Sequence, residues 1–124
     1  NGATLYLIEK QQVLDAVELS QVMKRYGITS AFMTAALFNT LVDFDVTSLK
    51  HVRKLFFGGE AGSKKHVMKA LDYLGPNRIA NGYGPTETTV FAATYTVDEQ
   101  VRAHSSVPIG KPIHNTKEYV LNRW

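Results

Sequence analysis

The chain has 124 residues, 44% of them apolar and 20% charged, with a net charge of +3 and no cysteine. That length fits one domain or a piece of one, and the apolar content is enough for a core. Disulfides and thiolate metal sites are excluded, no apolar run approaches the roughly 18 residues of a membrane span, and no secretory leader pattern is present. Together these suit a cytoplasmic protein. The basic residues are dispersed, with small groupings over 50–54 and 64–65, and lack the dense stripe with interleaved aromatics that nucleic acid requires. Neither nucleic acid nor membrane is expected as a partner. Both ends run into apolar stretches and no initiator methionine stands at the start, so residues 1–124 are expected to be a single subdomain, an internal segment of a larger domain.

In chain order, residues 4–8 are rich in β-branched and large apolar side chains and predict a short strand. Asp15 and Glu18 have capping-box spacing, with the aspartate accepting from first-turn amides and the glutamate reaching back. Leu19, Val22, Met23 and Tyr26 then recur on one helical face until Gly27 stops it. Residues 28–33 barely alternate and predict a strand buried on both sides. Thr34 can cap a helix carrying Leu37, Phe38, Leu41 and Val42, followed by a polar connection over 43–48. Leu55-Phe56-Phe57 predicts another buried strand, broken by Gly58-Gly59. Ser63 can cap a helix with Val67, Ala70, Leu71 and Leu74 on its face, and Gly75-Pro76 ends it. Arg78-Ile79-Ala80 predicts a brief strand, 90–97 a longer one and 117–121 another, with a turn-rich connector over 107–112 between the last two. The histidines read as solvated (His51, His66, His104) or as lacking a partner at ligand spacing (His114).

Strand and helix alternate, which predicts an α/β fold of three layers, a mostly parallel sheet flanked by helices. Ligands of such sheets sit beyond the carboxyl ends of the strands. Gly58-Gly59-Glu60 and residues 81–87 both follow predicted strands directly, so two glycine-rich elements point to the same edge.

The second of these opens the stretch Asn81-Gly82-Tyr83-Gly84-Pro85-Thr86-Glu87-Thr88-Thr89. Its glycines let backbone approach a ligand and its proline stiffens the turn. Hydroxyls and free amides suit phosphate oxygens, a carboxylate suits a hard cation such as Mg²⁺, and the tyrosine offers a flat face to a base. The stretch reads as a nucleotide site.

It also resembles the signature of adenylate-forming enzymes, and more narrowly that of the amino-acid adenylation domains of nonribosomal peptide synthetases. Leu55-Phe56-Phe57-Gly58-Gly59-Glu60-Ala61 is similar to the family's glycine-pair motif, Val107-Pro108-Ile109-Gly110-Lys111-Pro112-Ile113-His114-Asn115-Thr116 to its next signature stretch, and residues 1–9 to the strand that follows its first pocket helix. The resemblance implies a flavodoxin-like or Rossmann-like subdomain of a parent enzyme that works in two steps. An amino-acid carboxylate attacks the α-phosphate of ATP, pyrophosphate leaves with Mg²⁺, and the aminoacyl-AMP then acylates the phosphopantetheine thiol of a partner carrier protein. It implies catalytic roles for Thr86, at the α-phosphate, and Glu87, as the Mg²⁺ ligand. Asn81 and Tyr83 would meet the adenine, with Gly58, Gly59, Glu60 and Gly84 also on the nucleotide side.

The amino-acid pocket implied in the same way is walled by Phe32, Phe56, Gly58, Gly82, Val90 and Phe91. It is apolar, with three aromatic walls and no charged residue placed to meet a polar side chain. That favours a branched aliphatic substrate, valine or isoleucine, which a methylene worth about 1–3 kcal/mol separates only weakly. The family's phosphate loop, its ammonium-holding and ribose-holding aspartates and its small catalytic-lysine domain are not among these residues, so the chain alone is expected to be inactive. An acyl- or aryl-coenzyme A ligase of the same superfamily, disfavoured by the wording of 107–116, and a non-catalytic nucleotide-binding module are the alternatives.

Overall fold

The structure, a computed structural model, describes residues 2–88 and 90–122. Asn1, at the head of the first expected strand, and Thr89, the last residue of the glycine-rich stretch, lie outside the described residues, as do Arg123 and Trp124.

Two helices open the chain, α1 (Lys10–Leu14) and α2 (Ala16–Arg25). Asp15 starts α2 by accepting from the amides of Val17 (2.8 Å) and Glu18 (3.2 Å). The reach-back half of a capping box occurs one helix earlier, where Gln12 accepts from the Glu9 amide at 3.3 Å. Leu19, Val22 and Met23 are buried, whereas Tyr26 caps the helix and stacks on Tyr6 at 4.7 Å. Gly27 then turns the chain at φ +56°.

A single βαβαβ unit follows, made of β1 (Ser30–Thr34), α3 (Ala35–Asp45), β2 (Lys54–Gly58), α4 (Lys64–Leu74) and β3 (Ile79–Tyr83). Thr34 caps α3 by accepting from Leu37 N at 3.2 Å. Two further strands, β4 (Ala93–Thr96) and β5 (Lys111–Pro112), complete a five-stranded sheet in the order β1-β2-β3-β4-β5. The first three run parallel; β4 is antiparallel to β3 and β5 to β4, so only β4 runs against the others. The α/β class and the mostly parallel sheet are as expected. The helices pack over one face, where Phe38 stacks on Phe57 (4.8 Å, 11° between planes) and Met33, Leu55 and Ile79 join Leu41, Val67 and Leu71 in one buried cluster. The opposite face carries Phe32, Phe56 and Ala80 in register.

Several expectations are corrected. Residues 4–8 form no strand and nor do residues 117–121: Leu7 and Val120 are fully or almost fully exposed, and no neighbour pairs with either segment among the described residues. Propensity alone does not make a strand, because each needs a ladder partner. The strand expected over 28–33 is the edge strand β1, open on one face, with Phe32 57% exposed. The strand expected from Val90 begins only at Ala93, since Val90 sits at φ +135°, outside the extended region. The polar connection over 43–48 is the end of α3 followed by a 3-10 turn, Val46–Leu49.

Ser63 precedes α4 without capping it through its side chain, and His66, expected to be solvated, takes its hydroxyl instead. His66 Nδ1 meets Ser63 Oγ at 2.6 Å and Nε2 meets Asp43 Oδ2 at 2.8 Å, which pins α4 to α3. That hydrogen bond holds the Asp43 carboxyl below its usual range. Among the described residues no helix is long and apolar enough to cross a membrane.

Among the described residues, Asp45 is a heavily bonded carboxylate. It accepts from Lys24 Nζ (2.5 Å), Thr47 Oγ1 (2.6 Å), Ser20 Oγ (2.8 Å) and Thr47 N (3.0 Å), joining α2 to the end of α3. The Lys24 ammonium first, then the Thr47 and Ser20 donors, hold its carboxyl far below the usual range. A depressed carboxyl stabilises the fold fully above its unfolded value near about 4 and loses that contribution as pH falls. Asp45→Asn should therefore lower stability by about 1–2 kcal/mol at pH 7 and flatten the acid limb of the stability profile, measured by thermal unfolding between neutral pH and pH ~3.

Candidate functional site

Parallel pairing brings Thr34, Gly58 and Gly82 level across the carboxyl ends of β1, β2 and β3. At this edge the alternation of β3 sorts the glycine-rich stretch onto two faces. Gly82 shares the face of Phe32 and Phe56, away from the helices, while Asn81 and Tyr83 share the face of Met33 and Phe57. One short strand thus divides the residues assigned to the nucleotide from those assigned to the pocket.

Asn81 is 5% exposed, and its Nδ2 donates to the carbonyl of Pro108 at 2.9 Å. A backbone carbonyl only accepts, so this contact orients the amide and leaves Oδ1 as the acceptor end. The Pro108 carbonyl is a site element that sequence reasoning missed. The stretch 107–116 stood out only as a connector, and no side-chain signal marks a backbone acceptor. Tyr83 is half exposed at the end of the strand, where its carbonyl accepts from Ala92 N at 2.8 Å.

On the open face, Phe91 packs edge-on against Phe32 (5.6 Å between centroids, 68°) and stacked against Phe56 (5.8 Å, 25°). The three expected aromatic walls are therefore brought together. Val90 is not drawn into them: it is 64% exposed, and its carbonyl lies over Gly84. The glycines here are set by close approach. A Cβ at Gly82 would lie 2.3 Å from the Phe91 ring, one at Gly58 would lie 2.3 Å from the Gly82 carbonyl oxygen, and one at Gly84 would lie 2.6 Å from the Val90 carbonyl oxygen. Gly59 turns at φ +87° with open space around it. A charge also reaches this face, which the sequence reading did not place. Lys54, two residues before Phe56 on the same strand, holds its ammonium 5.6 Å from the Phe56 centroid and 3.5 Å from the Asn77 carbonyl.

Beyond β3, Thr86 and Glu87 sit exposed in a 3-10 turn, Thr86–Thr88, whose Thr88 hydroxyl donates back to the Pro85 carbonyl at 2.8 Å. Among the described residues no group of three or more His, Cys, Asp or Glu could hold a metal. A lone exposed carboxylate still fits Mg²⁺, which keeps its waters and binds through one or two carboxylates plus substrate phosphates. Glu60 is engaged elsewhere: its Oε1 accepts from Ala36 N, in the first turn of α3, at 3.3 Å.

Comparison with known proteins is consistent across the chain. The model of a family described as AMP-binding enzyme matches residues 1–124. Surfactin synthase subunit 1 of Bacillus subtilis (strain 168) is 48% identical over 123 residues, which is 99% of this chain and 3% of that protein. Bacitracin synthase 1 of Bacillus licheniformis is 43% identical over 122 residues, 98% of this chain and 2% of that protein. The chain therefore spans a small fraction of the length of these relatives. A solved nonribosomal peptide synthetase protein containing adenylation and PCP domains superposes with a TM-score of 0.70 at 41% identity, over 80% of this chain and 20% of that one.

The crowding at Gly82 is directly testable. Gly82→Ala should displace the Phe91 ring and lower stability by about 1–3 kcal/mol, and Phe91→Leu in the same chain should recover part of the loss. Thermal unfolding of the two single variants and the double variant measures the coupling; strictly additive effects would show that the contact is not made.

Proposed function

The chain belongs to the AMP-binding enzyme family, and we propose that it is the substrate-selecting and nucleotide-contacting part of an amino-acid adenylation domain of a nonribosomal peptide synthetase. The observation that carries this reading is the division made by β3, with Asn81 and Tyr83 on one face and Gly82 with Phe32 and Phe56 on the other. A site that joins a nucleotide to a small acid needs both sets within reach of one reacting centre.

In this reading the freed Oδ1 of Asn81 accepts from the exocyclic amine of adenine, and Tyr83 lies against the ring. Gly58, Gly59 and Gly84 let backbone approach the nucleotide. The Thr86 hydroxyl donates to an α-phosphate oxygen while the substrate carboxylate attacks the α-phosphorus and pyrophosphate departs. Mg²⁺, held at Glu87, would offset the charge that builds on the departing oxygens. The aromatic cluster takes the substrate side chain, with Gly58 and Gly82 keeping its floor low and Val90 at the rim. The three aromatic walls suit an apolar side chain such as that of valine or isoleucine, and the Lys54 ammonium at their margin is held by the Asn77 carbonyl and the Phe56 ring. The phosphopantetheine thiol of a carrier protein, beside neighbouring synthetase domains, would then attack the aminoacyl carbonyl to form a thioester and release AMP. The longer protein is then a cytoplasmic, ATP-dependent, AMP-forming ligase, and the 124-residue chain alone is inactive.

ATP–pyrophosphate exchange by the longer protein that carries this segment is the test. Exchange should be fastest with valine or isoleucine, and Glu87→Gln should lower it by about 100-fold or more, the cost typical of losing a group that stabilises transition-state charge. Exchange driven by an aryl acid and by no amino acid, or turnover by the 124 residues alone, would falsify the reading. Phe32→Ala enlarges the pocket and should shift preference toward larger apolar side chains.

A further inference from the structure

Two free amides in the first turn of α3 are satisfied from two directions. Thr34, the residue before the helix, takes Leu37 N at 3.2 Å, and Glu60, from the next strand–helix junction, takes Ala36 N at 3.3 Å. A carboxylate is well placed there, because unpaired amides and the helix dipole both favour negative charge at a helix start. Glu60 directly follows Gly58-Gly59, where the chain leaves β2 and turns at φ +87°. Thr34 ends the strand that carries Phe32. The bond from Glu60 to Ala36 therefore joins the loop assigned to the adenosine side to the junction behind an aromatic wall of the pocket.

We propose that Glu60 is a positioning residue that locks the Gly58-Gly59 turn onto the first turn of α3, and so fixes the spacing between the nucleotide loop and the Phe32 wall. It acts as a hydrogen-bond acceptor on the protein's own backbone and does not touch the nucleotide. The inference rests on the function proposed above for these two walls. A residue in direct contact with nucleotide or Mg²⁺ would act through its charge; a lock needs only the acceptor oxygen, which glutamine retains.

The test uses the longer protein with three variants. Glu60→Ala removes the acceptor, Glu60→Gln keeps it without charge, and Ala36→Pro removes the donor at a first-turn position where proline is tolerated. Amide hydrogen exchange should rise at Ala36 in Glu60→Ala and stay near wild type in Glu60→Gln. In ATP–pyrophosphate exchange, Glu60→Ala should raise the KM for both ATP and amino acid by about three- to fivefold, as expected for losing one hydrogen bond, with little change in kcat. Glu60→Gln should restore both, and Ala36→Pro should reproduce Glu60→Ala without adding to it in the double variant. Unchanged protection of Ala36 in Glu60→Ala, or Glu60→Gln as impaired as Glu60→Ala, overturns the proposal. A wild-type protein without amino-acid-dependent exchange would sink the proposed activity instead, while hydrogen exchange at Ala36 would still decide what Glu60 holds.

Discussion

A Cβ at Gly58 would collide with the carbonyl of Gly82, and a Cβ at Gly82 would collide with the ring of Phe91. These contacts set how closely β2 and β3 end and how low Phe91 settles between Phe32 and Phe56. The glycines act as the absence of side chains at two neighbouring strand positions; the collision at Gly58 is with backbone, which no rotamer change relieves, while that at Gly82 would have to move the Phe91 ring.

The helical side holds this edge steady. Phe38 on Phe57 buries α3 against β2, the Asp45 cluster ties α2 to the end of α3, and His66 ties α4 to Asp43. Each of these lies on the face opposite the aromatic cluster or at its periphery. The side chains of the candidate site thus sit on elements whose own positions are already determined, which is what a preorganised site requires.

The parts legible in the sequence were those governed by neighbours along the chain. Asp15 and Thr34 start their helices as their types and spacing indicate, Gly27 and Gly75 end theirs at positive φ, and Leu55-Phe56-Phe57 lies in β2, between β1 and β3. The parts that were not legible depend on partners distant in sequence. Residues 4–8 and 117–121 have the composition of strands but no ladder to join, and Val90 bends because its carbonyl must pass over Gly84. His66 read as solvated because its partner Asp43 lies 23 residues away on another helix. At the site, the residue types in 81–88 indicated nucleotide chemistry, but the Pro108 carbonyl that orients Asn81 and the Ala36 amide that takes Glu60 are backbone groups without a sequence signature.

The alternation in β3 has a consequence for how this segment can vary. Side chains along a strand change face at every step, so a slip of one residue exchanges the two faces completely. Deleting a single residue ahead of Asn81 while β3 keeps its pairing would turn Gly82 toward the helices and aim Asn81 and Tyr83 into the Phe32–Phe56–Phe91 cluster. Substitutions can retune one face without disturbing the other, whereas a one-residue insertion or deletion within β3 cannot. The segment is open to gradual change on either face and closed to a change of one residue in its length.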